Sequence, residues 1–198
     1  LRPVRALRMV DPYAIGGHGE HDFHDCAVAE DAVLGEVGQG FVYAQQRLEP
    51  ARLSHCMRLL GRAGRALEHA QAYVNERRPF GQRLADAQQI QAMVADCHID
   101  LHASRLMTRD CAARMDAGLS VKTESAMTKV FVSEAINRVA DRAGQMMGAL
   151  GMSDDTPVAL IARELRPFRI YDGASELHRA TLGRRFLSSI NSRPGDSR

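Results

Sequence analysis

From Phe41 onward the apolar residues of this chain recur every three or four positions, through Ala44, Leu48, Cys56, Leu59, Leu60, Ala63, Leu67, Ala70 and Val74. That period matches the turn of an α-helix with one buried stripe, and Pro50 inside the run predicts a kink. A second helix is expected over roughly Asp86 to Met115, with Ile90, Val94, Cys97 and Leu101 on one face, Ser104 at its margin, and Asp116-Ala117-Gly118 as its stop. A third begins near Ser120, where Ser120-Val121-Lys122-Thr123 offers a cap. Its stripe runs through Val132, Ile136, Val139, Ala143, Met146 and Leu150, with Gly148 and Gly151 closing it. Pro157 to Leu165 suits a short helix, and Ala174 to Ile190 makes the last. Three long helices and a shorter fourth can bury their stripes only against each other, so the expected fold is mainly α, an antiparallel four-helix bundle.

Residues 1–37 lack a helical period and are rich in Gly, Asp and His. Within them Asp22 to Val28 alternates loosely, as a strand would, and Gly35 with Gly38-Gln39-Gly40 marks the change of period. The chain therefore divides into a short β segment (1–37), a helical domain (38–190) and a tail (191–198) containing Pro194 and Gly195.

A length of 198 residues supports one domain with a substantial core. The formal net charge of +2 removes any broad electrostatic pull toward nucleic acid. No stretch approaches the roughly 20 apolar residues of a membrane span, and the first residues carry no signal-peptide core. Four cysteines without metal or redox spacing suit reduced thiols in a cytosol-like compartment. His18, His21 and His24, interleaved with acids, form a cluster by count, but a three-residue spacing in a strand sends successive rings to opposite faces. No metal is expected there, nor at His98 and His102, which share a helix face without a metal-binding pattern.

The residues that point to chemistry lie in Phe168-Arg169-Ile170-Tyr171-Asp172-Gly173-Ala174-Ser175-Glu176-Leu177-His178-Arg179. Asp172 stands at the break between two helices, Gly173 allows a sharp turn, and Ser175 can cap the helix that follows. An acid on such a turn, beside exposed amides, can face a pocket and serve as a base. Taken singly, it also reads as an ordinary turn acid.

This segment resembles the C-terminal signature of the acyl-CoA dehydrogenases, flavoenzymes whose base is an acid followed by Gly, a small residue and Ser or Thr. The resemblance puts Asp172 where most of the family carries Glu. Upstream, Glu76-Arg77-Arg78-Pro79-Phe80-Gly81 with Gln88 resembles the family's Arg-x-x-Phe-Gly segment and its downstream Gln. Between the two, Gln145-Met146-Met147-Gly148-Ala149-Leu150-Gly151 is similar to Gln-x-x-Gly-Gly-x-Gly, with Ala149 replacing the second Gly. Three motifs in family order make coincidence a poor explanation.

The resemblance implies α,β-dehydrogenation of an acyl-CoA thioester with FAD as cofactor. Asp172 would be the catalytic base. Arg77, Pro79, Phe80, Gln88, Gln145, Gly148, Ala149, Ala174, Ser175 and Glu176 would face the flavin dinucleotide, and Glu49, Arg52 and Gly173 the substrate. Some relatives place the base on the first long helix, immediately before an Arg; here that pair is Ala51-Arg52, and the position holds no carboxylate. The family also implies a homodimer or homotetramer in which the Arg77 segment meets flavin bound mainly by a neighbouring subunit. An electron-transfer flavoprotein would be the acceptor, in the cytoplasm or, in a eukaryote, the mitochondrial matrix.

Intact members carry an N-terminal helical domain and a middle β domain before this one. A chain starting on Leu1 is thus expected to hold the end of the middle domain and all of the last. Two competing readings follow: a non-catalytic helical oligomerisation module keeping part of a nucleotide cradle, or an enzyme whose other domains come from a separate polypeptide.

Overall fold

A computed structural model describes residues 2–7 and 18–191. Two compact units emerge, Leu1–Leu48 and Glu49–Arg198. In the first, strand β1 (Arg2–Leu7) pairs antiparallel with β2 (His18–Asp22), and the register shifts between Pro3 and Arg5. A proline cannot donate to the ladder, so an irregularity at that point is where a strand tolerates it. The strand expected over Asp22 to Val28 therefore lies earlier and shares only Asp22 with that range. Phe23 and Val28 are exposed and outside any strand. Alternation without a neighbouring backbone to accept its hydrogen bonds does not make a strand.

The helices are α1 (Gly40–Glu76), α2 (Gln88–Asp116), α3 (Lys122–Met147), α4 (Val158–Leu165) and α5 (Ser175–Asn191). The helical assignment of α1 runs through Pro50 without a break. Phe41 is 75% exposed and Ala44 is also exposed, so the apolar stripe of α1 is longer than the part that is buried. Periodicity shows which face is apolar, not whether anything covers it.

From Cys56 onward the stripe does enter the core. Leu59, Ala63, Leu67 and Ala70 of α1, Cys97 and Leu101 of α2, Val132, Ile136, Val139 and Ala143 of α3, Ile161 and Leu165 of α4, and Phe168 form one buried cluster. Polar ties on α2 and α3 show their antiparallel sense, because partners step backward along α3 as they step forward along α2. Asp96 reaches Arg142, Asp100 reaches Arg138, and Met107 accepts from Thr128.

Helix ends explain the connections. Past α2, Gly118 takes φ +72°, its amide donates to Met115, and that of Leu119 donates to Arg114. This double closure is the Schellman ending that the Asp116-Ala117-Gly118 run predicts. Ser120 does not cap α3, whose N-cap position is Val121 with no side-chain hydrogen bond. At the other end Gly148, at φ +60°, stops α3, so Leu150 falls in the 3-10 turn Gly148–Met152 beyond it. No helix among the described residues is long and apolar enough to cross a membrane.

Candidate active site

The 3-10 turn Arg166–Arg169 leads from α4 to the break before α5, and there Asp172 has φ +55° and Gly173 φ +95°. Two successive residues in the left-handed region reverse the chain sharply. For Asp that conformation is strained and needs support from its surroundings. At Gly173 a Cβ would lie 2.6 Å from Nε2 of His178, so both the φ and the ring exclude any larger residue.

Three side chains supply that support. Arg52 Nε donates to the carbonyl of Asp172 at 2.9 Å, and His178 Nε2 lies 3.2 Å from the same oxygen, placed to donate. Lys129 Nζ donates to the next carbonyl, that of Gly173, at 2.7 Å. They come from α1, α5 and α3 respectively, so the turn is pinned by three helices at once.

Lys129 has no exposed surface, and its ammonium sits 5.1 Å from the centre of the Phe168 ring. Burial pulls its pKa down to about 8, against the opposing pull of Cys56 and Asp172. Burial likewise lowers His178, opposed by its bond to the Asp172 carbonyl, and pushes the Cys56 thiol up to about 12. Glu134 of α3 ties down both flanks of the turn, meeting Arg169 at 2.7 Å and Arg179 at 3.5 Å.

The Asp172 carboxylate turns inward, its side chain 15% exposed. Oδ2 is shut off from water and makes no hydrogen bond among the described residues. His55 Nε2 stands 3.3 Å from it, at ion-pair range but off the line of a hydrogen bond. The His55 ring meets Tyr171 edge-on at 5.4 Å and tilts against Phe168 at 6.2 Å. The result is a carboxylate with one oxygen outside any hydrogen bond, facing an imidazole packed on aromatic rings and backed by positive charge.

Around this centre Arg52 is half-buried and committed to the turn, while Glu49 is half-buried on the preceding part of α1. Ser175 is fully buried, and its hydroxyl pairs with that of Ser133 at 3.2 Å rather than serving as the expected cap. Ala174 is half-buried and Glu176 exposed.

The other predicted residues gather elsewhere. Arg77 follows the last residue of α1, Gln88 opens α2, and Gln145, Gly148 and Ala149 lie at the end of α3. All five are exposed, and half-buried Pro79 begins a 3-10 turn with Phe80 and Gly81. Because α2 and α3 are antiparallel, these positions share one end of the bundle. Phe80 is fully exposed at φ +52°, and space beside Gly148 is open. The close backbone approach in this stretch is at Gly151, where a Cβ would come within 2.5 Å of the Gly144 carbonyl. At about 1.5 Å per residue, α1 between His55 and Glu76 is about 30 Å long, so the structure does not bring the two sets of residues together within one chain.

His55, Lys129 and Ser133 were not singled out by sequence reasoning. For Lys129 a signal existed: it lies three residues before Val132, on the apolar stripe of α3. His55 sits one turn after Arg52 on the helix face that meets the Asp172 turn.

A helical bundle domain that presents an acid with a non-hydrogen-bonded oxygen on a pinned interhelical turn defines a class of protein rather than one reaction. Comparison with known proteins supplies the family. The description "Acyl-CoA dehydrogenase, C-terminal domain" matches residues 38–187, and the chain belongs to that family. It is 36% identical over 187 residues to acyl-CoA dehydrogenase family member 11 of Gallus gallus, covering 93% of this chain and 24% of that protein. It is 38% identical over 174 residues to the probable acyl-CoA dehydrogenase FadE2 of Mycobacterium tuberculosis, covering 87% of this chain and 43% of that one. An acyl-CoA dehydrogenase structure from Geobacillus kaustophilus superposes with a TM-score of 0.87 at 27% identity, covering 93% of this chain and 48% of that chain. The chain thus spans less than half the length of these relatives.

Proposed function

We propose that this chain is the C-terminal helical part of an FAD-dependent acyl-CoA dehydrogenase in which Asp172 removes the α-proton of an acyl-CoA thioester. The observation that carries the reading is the Asp172 carboxylate, inward-facing, with Oδ2 dry and without a hydrogen bond. A base acts through a lone pair that nothing else occupies, within about 3 Å of its proton. An acyl chain lying against the part of the side chain that is still exposed would strip the water left there and raise the carboxylate's affinity for that proton.

Arg52, His178 and Lys129 fix the peptide from which the carboxylate projects. Asp is one methylene shorter than the Glu of most relatives, and a pinned backbone, rather than side-chain reach, sets its distance to substrate. The backbone amide of Asp172 is assigned to the thioester oxygen, where a fixed donor stabilises the charge that develops. Glu49 and Gly173 complete the substrate side, and Arg52 contributes by holding the turn.

The far end of the bundle suits a dinucleotide. Exposed Arg77 can pair with phosphate oxygens, Phe80 presents a whole ring, Gln88 and Gln145 offer exposed polar groups, Gly148 has open space beside it, and exposed Ala149 follows it. A flavin held there would supply the acceptor for the hydride of the β-carbon. Ala174 and Glu176 flank the base and suit the flavin of their own site, while the Ser175 hydroxyl is already committed. The length of α1 between the two ends favours a homodimer or homotetramer in which each flavin is shared between copies. An electron-transfer flavoprotein would reoxidise it. Cys56, Cys97 and Cys111 are buried and unbridged, which suits a reducing compartment such as the cytoplasm or mitochondrial matrix.

The decisive test is Asp172→Asn in the flavin-loaded enzyme containing this chain. Flavin should stay bound but no longer bleach with acyl-CoA; retained bleaching removes Asp172 from the reaction. A colourless preparation of the complete protein would instead favour the non-catalytic module.

A further inference from the structure

The geometry points to His55 as the residue that positions the Asp172 carboxylate, with Arg58 fixing which ring nitrogen carries the proton. Nδ1 of His55 lies 3.5 Å from Nη2 of Arg58. A guanidinium only donates, so Nδ1 must accept and the ring proton sits on Nε2. That nitrogen is the one 3.3 Å from Asp172 Oδ2. A small rotation of either group turns the approach into a hydrogen bond to an otherwise unpaired carboxylate oxygen.

The surroundings allow that motion while limiting where it ends. Tyr171 and Phe168, themselves 5.2 Å apart, pack together against the ring, and its side chain is 32% exposed, so one edge remains in solvent. Arg58 is half in solvent and also approaches Glu164 of α4 at 3.5 Å. The groups that bear on the carboxylate are Arg52, His55 and Cys56 on α1, Lys129 on α3 and His178 on α5. Of these, Arg52, Lys129 and His178 are hydrogen-bonded to carbonyl oxygens of the turn. His55 is the group that faces the carboxylate itself, and its N–H would take one lone pair of Oδ2, orienting the carboxylate and leaving its remaining lone pairs for the proton.

This inference rests on Asp172 being the base. An N–H facing the carboxylate holds it in the direction of attack, so removing the N–H slows proton abstraction; because an N–H beside a carboxylate also favours its ionised form, the acid limb of the pH–rate profile moves upward. The test uses the complete flavin-loaded enzyme and follows flavin bleaching by acyl-CoA from pH 5 to 9 by stopped flow. His55→Phe keeps a ring against Tyr171 and Phe168 but has no N–H; His55→Gln keeps an N–H and loses the ring.

Expected is a fall of roughly tenfold or more in bleaching rate for His55→Phe with substrate affinity retained, as for a lost hydrogen bond to a charged group, and an acid limb at higher pH. His55→Gln should recover part of both. Arg58→Met, at a surface position, should move the same limb the same way by less. Equal losses in His55→Phe and His55→Gln with an unmoved acid limb would make His55 mere packing and overturn the assignment. So would an unmoved limb in folded Arg58→Met. Asp172→Asn is run in parallel: if it still bleaches, the base assignment itself has failed, which the His55 variants alone would not reveal.

Discussion

Lys129, without any exposed surface, donates from Nζ to the carbonyl of Gly173 at 2.7 Å, so a buried cation holds the residue after the proposed base. Its pKa falls from 10.5 to about 8 in the folded protein. Below pH 8 the ammonium is charged in both folded and unfolded states, and the cost of burying it is present in full. Between 8 and 10.5 the folded state releases its proton first, so stability rises with pH, by about 3 kcal/mol across the window at 1.36 kcal/mol per unit. Urea unfolding of wild type and Lys129→Met at pH 7.5, 9 and 10.5 should show wild type gaining on the variant as pH rises, while the buried thiols, whose pKa values burial raises, pull both proteins down at the alkaline end. Parallel curves for the two proteins would contradict the buried ammonium.

His178 behaves in the same sense at acid pH. Its pKa is lowered by burial, so the folded state resists protonation that the unfolded chain accepts. Stability should therefore drop as pH falls below about 6.5, the ordinary value for His. His178→Gln should flatten that drop when the two are compared by thermal melting from pH 5 to 7.5. A wild type equally stable at both ends would count against it.

Gly144 and Gly151 meet backbone to backbone, yet they should respond oppositely to a methyl group. At Gly151 the new Cβ would sit 2.5 Å from the Gly144 carbonyl and 2.9 Å from its Cα. Gly151→Ala should cost about 1–3 kcal/mol of stability through forced displacement. At Gly144 the nearest atom is 4.0 Å away, and a helix-interior Ala is favoured over Gly by about 0.5–1 kcal/mol. Denaturant midpoints should thus move down for one and hold or rise for the other.

Asp100 accepts from Arg138 through both carboxylate oxygens, at 3.0 and 2.5 Å, and from Arg142 at 2.8 Å. Burial alone would raise its pKa, but the two guanidiniums outweigh it and the carboxyl titrates below the usual range. Its contribution is present above the ordinary carboxylate pKa and disappears as pH falls through the lowered value. Asp100→Asn should lose about 1–2 kcal/mol at pH 7, since both arginines keep partial solvent access. That difference from wild type should shrink in acid, as read from urea midpoints at pH 7 and 3.

The bundle was legible because its signals are local. Cys56, Leu59, Ala63, Cys97, Val132 and Ile136 were chosen by spacing and are all fully buried. Helix stops at Gly118 and Gly148 followed from the same kind of evidence, since both require positive φ. What spacing could not show was a polar residue serving the core. Lys129 occupies a stripe position, but a long cation reads as solvent-facing until the Gly173 carbonyl is seen waiting for it. Ser175 illustrates the reverse error: a helix-start serine reads as a cap, and only tertiary packing reveals Ser133 as its partner. His55 depended on a residue more than a hundred positions away.

The span of α1 also has a genetic side. If every flavin lies between one copy's carboxylate end and another's arginine end, harm at Asp172 and harm at Arg77 strike opposite halves of each composite site. Two inactive alleles of these kinds, expressed together, regain some working sites by mixing subunits, whereas two alleles altered at the same end do not.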